Sequence, residues 1–182
     1  AVFPVGSGNV TNDLAVGLKV SAVAAETIKL SLGSAIAKGV PGREPIDLSK
    51  FDALARGTPT RRSIAEIIEM RLAEIFEFVN NDLKSISKAS RLPGGIVIVG
   101  GGAKLPATVD LARAELKLSA KIGAPNVAEL DTAKCESAAH LDDPEWATAL
   151  GLLLSGADGA ETVKSATIKL GFIKKILGIF AP

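Results

Sequence analysis

An α/β fold is predicted by three features of this sequence: a β-branched run that breaks into a glycine turn and then a helix, a long amphipathic helix over 63–88, and shorter helical stretches near the start. The β-branched run is Ile96-Val97-Ile98-Val99, apolar throughout, as expected of a sheet strand covered on both faces.

Taken in order, residues 2–5 read as the end of a short strand, and Gly6-Ser7-Gly8 as a turn. Thr11 is expected to cap a short helix carrying Asp13 in its first turn, where a negative charge suits the helix N-terminus. A second helix is expected from Ser21 to Gly33, with Val23, Ile28 and Leu32 on its apolar side and Gly33 as a left-handed stop. The glycine-, proline- and charge-rich stretch from Gly39 to Arg62 predicts loops and edge strands. Ser63 and Glu66 have capping-box spacing, and Ile64, Ile67, Ile68, Leu72, Ile75, Phe76, Val79, Leu83 and Ile86 follow at helical intervals. After Pro93-Gly94-Gly95 come the 96–99 strand, Gly100-Gly101-Gly102, and a helix from about Pro106. A short strand at 119–122, an irregular acidic loop at 126–142 and a last core helix opened by Asp143 and Pro144 complete the folded part.

The 182 residues are 47% hydrophobic, enough for one sizeable core or two small ones. A formal net charge of +1 gives no global basic field, so nucleic acid is not an expected partner. The one cysteine, Cys135, has no second cysteine to pair with, and with one histidine, His140, the chain lacks the ligands of a structural zinc site. A reducing cytoplasm is the expected setting. The sequence opens on Ala1 without a signal-peptide pattern, so it is expected to begin mid-domain, and no run of about 18 apolar residues predicts a spanning helix.

Two segments carry candidate ligand chemistry. Glycines after a strand let a ligand approach the backbone, and the following helix offers free amides to anions; the same turn also serves packing alone. Lys104 and Leu105 occupy the place of the last glycine of a dinucleotide fingerprint, which excludes that reading. About 70 residues earlier, Glu26 and Lys29 stand three apart on one helix face, either solvated or turned toward a ligand.

The ordered set of segments resembles the FtsA family of actin-like cell-division proteins. It runs from Pro-Val-Gly-Ser-Gly-Asn-Val-Thr-Asn-Asp-Leu-Ala-Val-Gly-Leu at 4–18 through Ala-Glu-Thr-Ile-Lys at 25–29 and Ile-Ala-Glu-Ile-Ile-Glu-Met-Arg-Leu-Ala-Glu-Ile-Phe at 64–76. Ile-Val-Ile-Val-Gly-Gly-Gly-Ala-Lys-Leu-Pro at 96–106 and Ala-Thr-Ala-Leu-Gly-Leu-Leu at 147–153 follow. Ser7 departs from it, standing where the family usually has glycine.

The resemblance implies the second lobe of an actin-like (ribonuclease H-like) fold. It implies a nucleotide-facing subdomain over 1–33 and 91–155, a small α+β subdomain inserted at 34–90, and an adaptor that anchors FtsZ polymers to the membrane. ATP with magnesium would be the complete protein's ligand, with Glu26 and Lys29 on one wall of the cleft and Gly100, Gly101, Gly102 and Lys104 on the other. The phosphate-binding hairpins of such ATPases are absent here, so no phosphoryl transfer and no tight ATP binding are expected of this chain alone. Arg61, Arg62 and Arg71 are candidate contacts for the FtsZ C-terminal tail, or else solvated or paired with local acids. Self-association into filaments is a further implied property. An actin-like pilus-assembly scaffold and a piece of a sugar kinase-like ATPase share the superfold and are the alternatives.

Residues 156–167 are small and polar, as in a flexible tether. On a helical wheel, Leu170, Phe172, Ile173, Ile176, Leu177, Ile179 and Phe180 of the 168–182 segment share one arc, opposite Lys174 and Lys175. Such a helix lies in an anionic membrane interface, or docks on a protein surface. With the resemblance, this predicts a location on the cytoplasmic side of the bacterial membrane, at the division septum.

Overall fold

A computed structural model describes residues 1–89, 91–127 and 141–161, with side chains described as far as residue 156. Cys135, His140 and the expected membrane segment with Phe172, Ile173, Lys174, Lys175, Ile176, Leu177 and Phe180 lie outside the described residues. The chain divides into two units, Ala1–Ala147 and Thr148–Pro182.

In the first unit, α1 spans Ser7–Leu18 and α2 spans Ala22–Leu32. Residues 2–5 form no strand. The cap of α1 is Gly6, whose N–H donates to Asn9 Oδ1 at 3.0 Å, so Thr11 sits inside the helix, where its side chain is buried. Ser21 caps α2 as expected, accepting from the Ala24 N–H at 3.3 Å. The buried face of α2 is Ala24, Ala25 and Ile28, whereas Val23 is 80% exposed. Gly33 is extended rather than left-handed (φ −67°, ψ 151°); glycine is needed there because a β-carbon would lie 2.3 Å from the Lys29 carbonyl oxygen.

The long helix is α3, Arg61–Ser85. Its capping box lies one turn earlier than Ser63 and Glu66: Thr60 Oγ1 accepts from the Ser63 N–H, and the Thr60 N–H donates to Ser63 Oγ, both at 3.1 Å. Ile64, Ile68, Leu72 and Phe76 are buried, and Ile67, Ile75, Val79 and Leu83 pack at the edge of the same core. Ile86, expected on that stripe, is the C-cap and is exposed. Between α2 and α3 the expected edge strands reduce to one antiparallel bridge, Pro45 with Thr60, and a 3-10 turn at Leu48–Lys50.

Beyond α3, β1 (Ile96–Ile98), α4 (Thr108–Leu116) and β2 (Ala120–Ile122) form a βαβ unit whose strands pair in parallel, Ile96 opposite Ala120 and Ile98 opposite Ile122. Only one face of this pair is covered by described residues: Ile96 and Ile98 pack on the core, whereas Val97 and Val99, which alternate onto the other face, are 53% and 45% exposed.

One buried cluster serves the whole first unit. It joins Val10 and Leu14 of α1, Ile28 of α2, Ile64 and Ile68 of α3, and Leu111 and Leu116 of α4. Each fully buried Leu or Ile contributes about 1.5–3 kcal/mol. Leu48, Ala55 and the buried residues of α3, all within residues 34–90, belong to this cluster.

In the second unit, α5 runs Ala147–Glu161, so helix extends into the stretch expected as a tether. Within it, Leu152, Leu153 and Leu154 are 70%, 47% and 39% exposed. No described helix is long and apolar enough to cross a membrane.

Candidate functional site

The inner faces of α1 and α2 meet at a polar cluster inside an otherwise apolar contact. Lys29, on the last full turn of α2, is buried, and its ammonium reaches three acceptors: Glu26 Oε2 at 2.7 Å, Thr11 Oγ1 at 2.9 Å and the Ser7 carbonyl oxygen at 3.3 Å. An ammonium that lost water without such partners would cost several kcal/mol. Thr11 Oγ1 in turn donates to Glu26 Oε2. Burial opposes the charge on Glu26, but hydrogen bonds from Lys29 and Thr11, with the lysine charge, outweigh it and hold the carboxyl below its ordinary range. Glu26 remains 44% exposed, so the pair is anchored at its base and open at its rim.

The glycine turn stands against the same cluster. Gly100 has φ +92°, a left-handed conformation that favours glycine, and its N–H donates to the Pro144 carbonyl at 2.8 Å. Gly102 lies close against Ser7, since a β-carbon there would lie 3.0 Å from Ser7 Cβ, a tight contact that Ser7 would have to yield to. Gly100 and Gly101 border open space. Ser7 is therefore the hinge of the site: its side chain faces Gly102 and its carbonyl holds Lys29. Two segments 70 residues apart, Glu26-Lys29 and Gly100-Gly101-Gly102, are brought together through it.

Lys104 is turned to other work. Its Nζ lies 2.6 Å from Asp143 Oδ2 and 3.6 Å from Glu145 Oε2, and the hydrogen bond to Asp143 raises its pKa. Two carboxylates beside it oppose an incoming phosphate. Asp143 also caps the Pro144–Trp146 turn, accepting from the Glu145 N–H at 3.2 Å, so this pair braces the glycine turn from behind.

The three arginines have partners within the fold. Arg61 Nε donates to the Leu32 carbonyl at 3.1 Å, satisfying the end of α2. Arg62 Nε lies 3.4 Å from Glu66 Oε1, and both are more than half exposed. Arg71 spans α3 and α1 by a two-pronged contact with Asp13, Nη2 to Oδ1 being 3.0 Å, and it also reaches Glu74. Neither Thr11 nor Asp13 was singled out for these roles from sequence, because a threonine and an acid near a helix start have an ordinary capping explanation.

No group of three or more metal-ligating side chains occurs among the described residues. A family model described as "Cell division protein FtsA" matches residues 1–151. The chain is 32% identical over 152 residues to the cell division protein FtsA of Bacillus subtilis, covering 84% of this chain and 32% of the relative. For the protein of the same name from Pseudomonas aeruginosa the figures are 30% over 157 residues, 86% and 36%. For that of Escherichia coli K12 they are 28% over 189 residues, 96% and 43%. The chain thus spans about a third of the length of the first of these relatives.

Proposed function

Because the chain belongs to the FtsA family of cell division proteins, we propose that it is the second lobe of an actin-like adaptor that ties FtsZ polymers to the cytoplasmic face of the membrane at the septum. The observation that carries the nucleotide part is the meeting of Glu26, Lys29 and Gly102 around Ser7. A carboxylate rim beside glycines that border open space suits the sugar and base of ATP. The nearby cations do not suit its phosphates, since Lys29 is committed to Glu26 and Lys104 to Asp143.

ATP, when held in the complete cleft, supplies the charged triphosphate that the missing lobe would grip with magnesium. This lobe supplies the adenosine wall: Glu26 as hydrogen-bond acceptor and the glycine turn as a surface without β-carbons to obstruct the ligand. Membrane attachment rests on the basic, aromatic and aliphatic pattern of 168–182, and FtsZ capture on the half-exposed Arg62 and the α3 surface. The E. coli relative, to which 96% of the chain aligns, supports reading the tail as part of the same protein type.

Calorimetry with ATP tests the nucleotide half. Weak binding that is indifferent to magnesium is expected of this chain, and tight magnesium-dependent binding would overturn the half-site reading.

A further inference from the structure

Lys29 and Glu26 look equivalent in sequence, yet their surroundings differ. All three protons of the Lys29 ammonium have acceptors inside the protein, at Ser7, Thr11 and Glu26. Glu26 spends only Oε2 on the protein, and Oε1 has no partner among the described residues. The atom common to both side chains is Thr11 Oγ1, which accepts from Lys29 and directs its one proton to Glu26, whose oxygen is much nearer than the alternative acceptor, the Ser7 carbonyl at 3.4 Å. Thr11 comes from α1 and is buried, so the hydroxyl is fixed by a helix other than the one it serves.

We infer that Thr11 is a positioning residue: together with Lys29 it fixes Glu26 Oε2 from a second helix, and so orients Oε1, the acceptor that faces the ligand. This rests on the adenosine-facing reading above, and it divides the roles within that site. Without the Thr11 hydroxyl, Oε2 keeps one bond instead of two, and the carboxylate is free to rotate about its last torsion. Lys29 also loses an acceptor. Both changes loosen Oε1 without removing any group from the rim. The orientation also explains why Ser7 tolerates a side chain: its contribution to the cluster is a backbone carbonyl, which any residue has.

The test compares the whole chain with Thr11→Val, which keeps the branched shape, and Thr11→Ser, which keeps the hydroxyl. Thr11→Cys, filling the same space with a weak donor, replaces the valine variant should that one not fold. Two readouts are taken by NMR: the titration of the Glu26 side-chain carboxyl, and amide shifts on addition of adenosine. Wild type and Thr11→Ser should titrate below the ordinary glutamate range, and Thr11→Val should move upward toward it. Adenosine affinity should fall about tenfold in Thr11→Val, the worth of one hydrogen bond to a charged group, and recover in Thr11→Ser. An unmoved Glu26 titration in Thr11→Val, or equal adenosine affinity in all variants, overturns the positioning role. If adenosine binds none of the proteins, the nucleotide reading and the ligand-facing role of Oε1 fall together, while the carboxyl titration still decides whether Thr11 positions Glu26.

Discussion

Arg71 Nη2 donates to Asp13 Oδ1 at 3.0 Å, joining two helices through residues 58 apart in sequence. The guanidinium also reaches Glu74, so it sits between two carboxylates on the surface seam of α1 and α3. An arginine that sequence reasoning offers to a partner is, in the folded chain, already holding its own helices together.

Replacing Arg71 with glutamate should therefore lower the thermal midpoint as well as any affinity for an FtsZ tail peptide, because it leaves three acids together. In a double-mutant cycle, Arg71→Ala and Asp13→Asn should be less damaging together than the sum of each alone, with the coupling weakened at high salt. Strict additivity at low salt would contradict the pair.

Ile68→Ala should cost about 2–5 kcal/mol in chemical denaturation, since Ile68 is fully buried where α3 joins the common core. The loss should be global, lowering amide-exchange protection in α1 and α4 as much as in α3. Loss of protection confined to residues 34–90 would mean that this segment folds as a subdomain of its own.

Glycine substitutions separate conformation from space in the turn. Gly100→Ala should destabilise by about 1–3 kcal/mol because of its positive φ, whereas Gly101→Ala meets open space and should be near neutral. Equal effects in denaturation would show that the turn is not held as described.

Glu26 makes a pH prediction with a definite sign. Its folded pKa lies below the ordinary 4.5, so its stabilisation is complete above that value and is lost as pH falls through the folded pKa. The stability gap between wild type and Glu26→Gln should be constant at pH values above the ordinary 4.5 and close progressively as the pH falls below it. A gap that widens on acidification would contradict the depressed pKa.

Much of the first unit was legible because its signals are redundant. The stripe from Ile64 to Leu83 survives an error in the cap, which is why α3 is placed correctly although its box is Thr60 and Ser63. Ser21 has one local job and was read correctly. Thr11 was misread because capping and burial use the same hydroxyl, and only the position of α2 distinguishes them. Ile96 to Val99 reads as a doubly covered strand, but whether a second face is covered depends on which segments pack there, and Val97 stays exposed among the described residues. For the site, the Glu26-Lys29 pair and the glycine turn were visible as residue types. Their junction at Ser7, and the diversion of Lys104 to Asp143, are tertiary facts that spacing does not encode.

The adaptor role is tested most directly by floating anionic liposomes with purified FtsZ polymers in the presence of this chain. FtsZ should rise with the vesicles when the chain is present and remain below when it is omitted. A Phe172→Glu, Ile176→Glu double variant should lose the effect while the circular dichroism of residues outside the tail is unchanged. FtsZ left behind while the chain itself floats, or undiminished bridging by the double variant, would contradict the account.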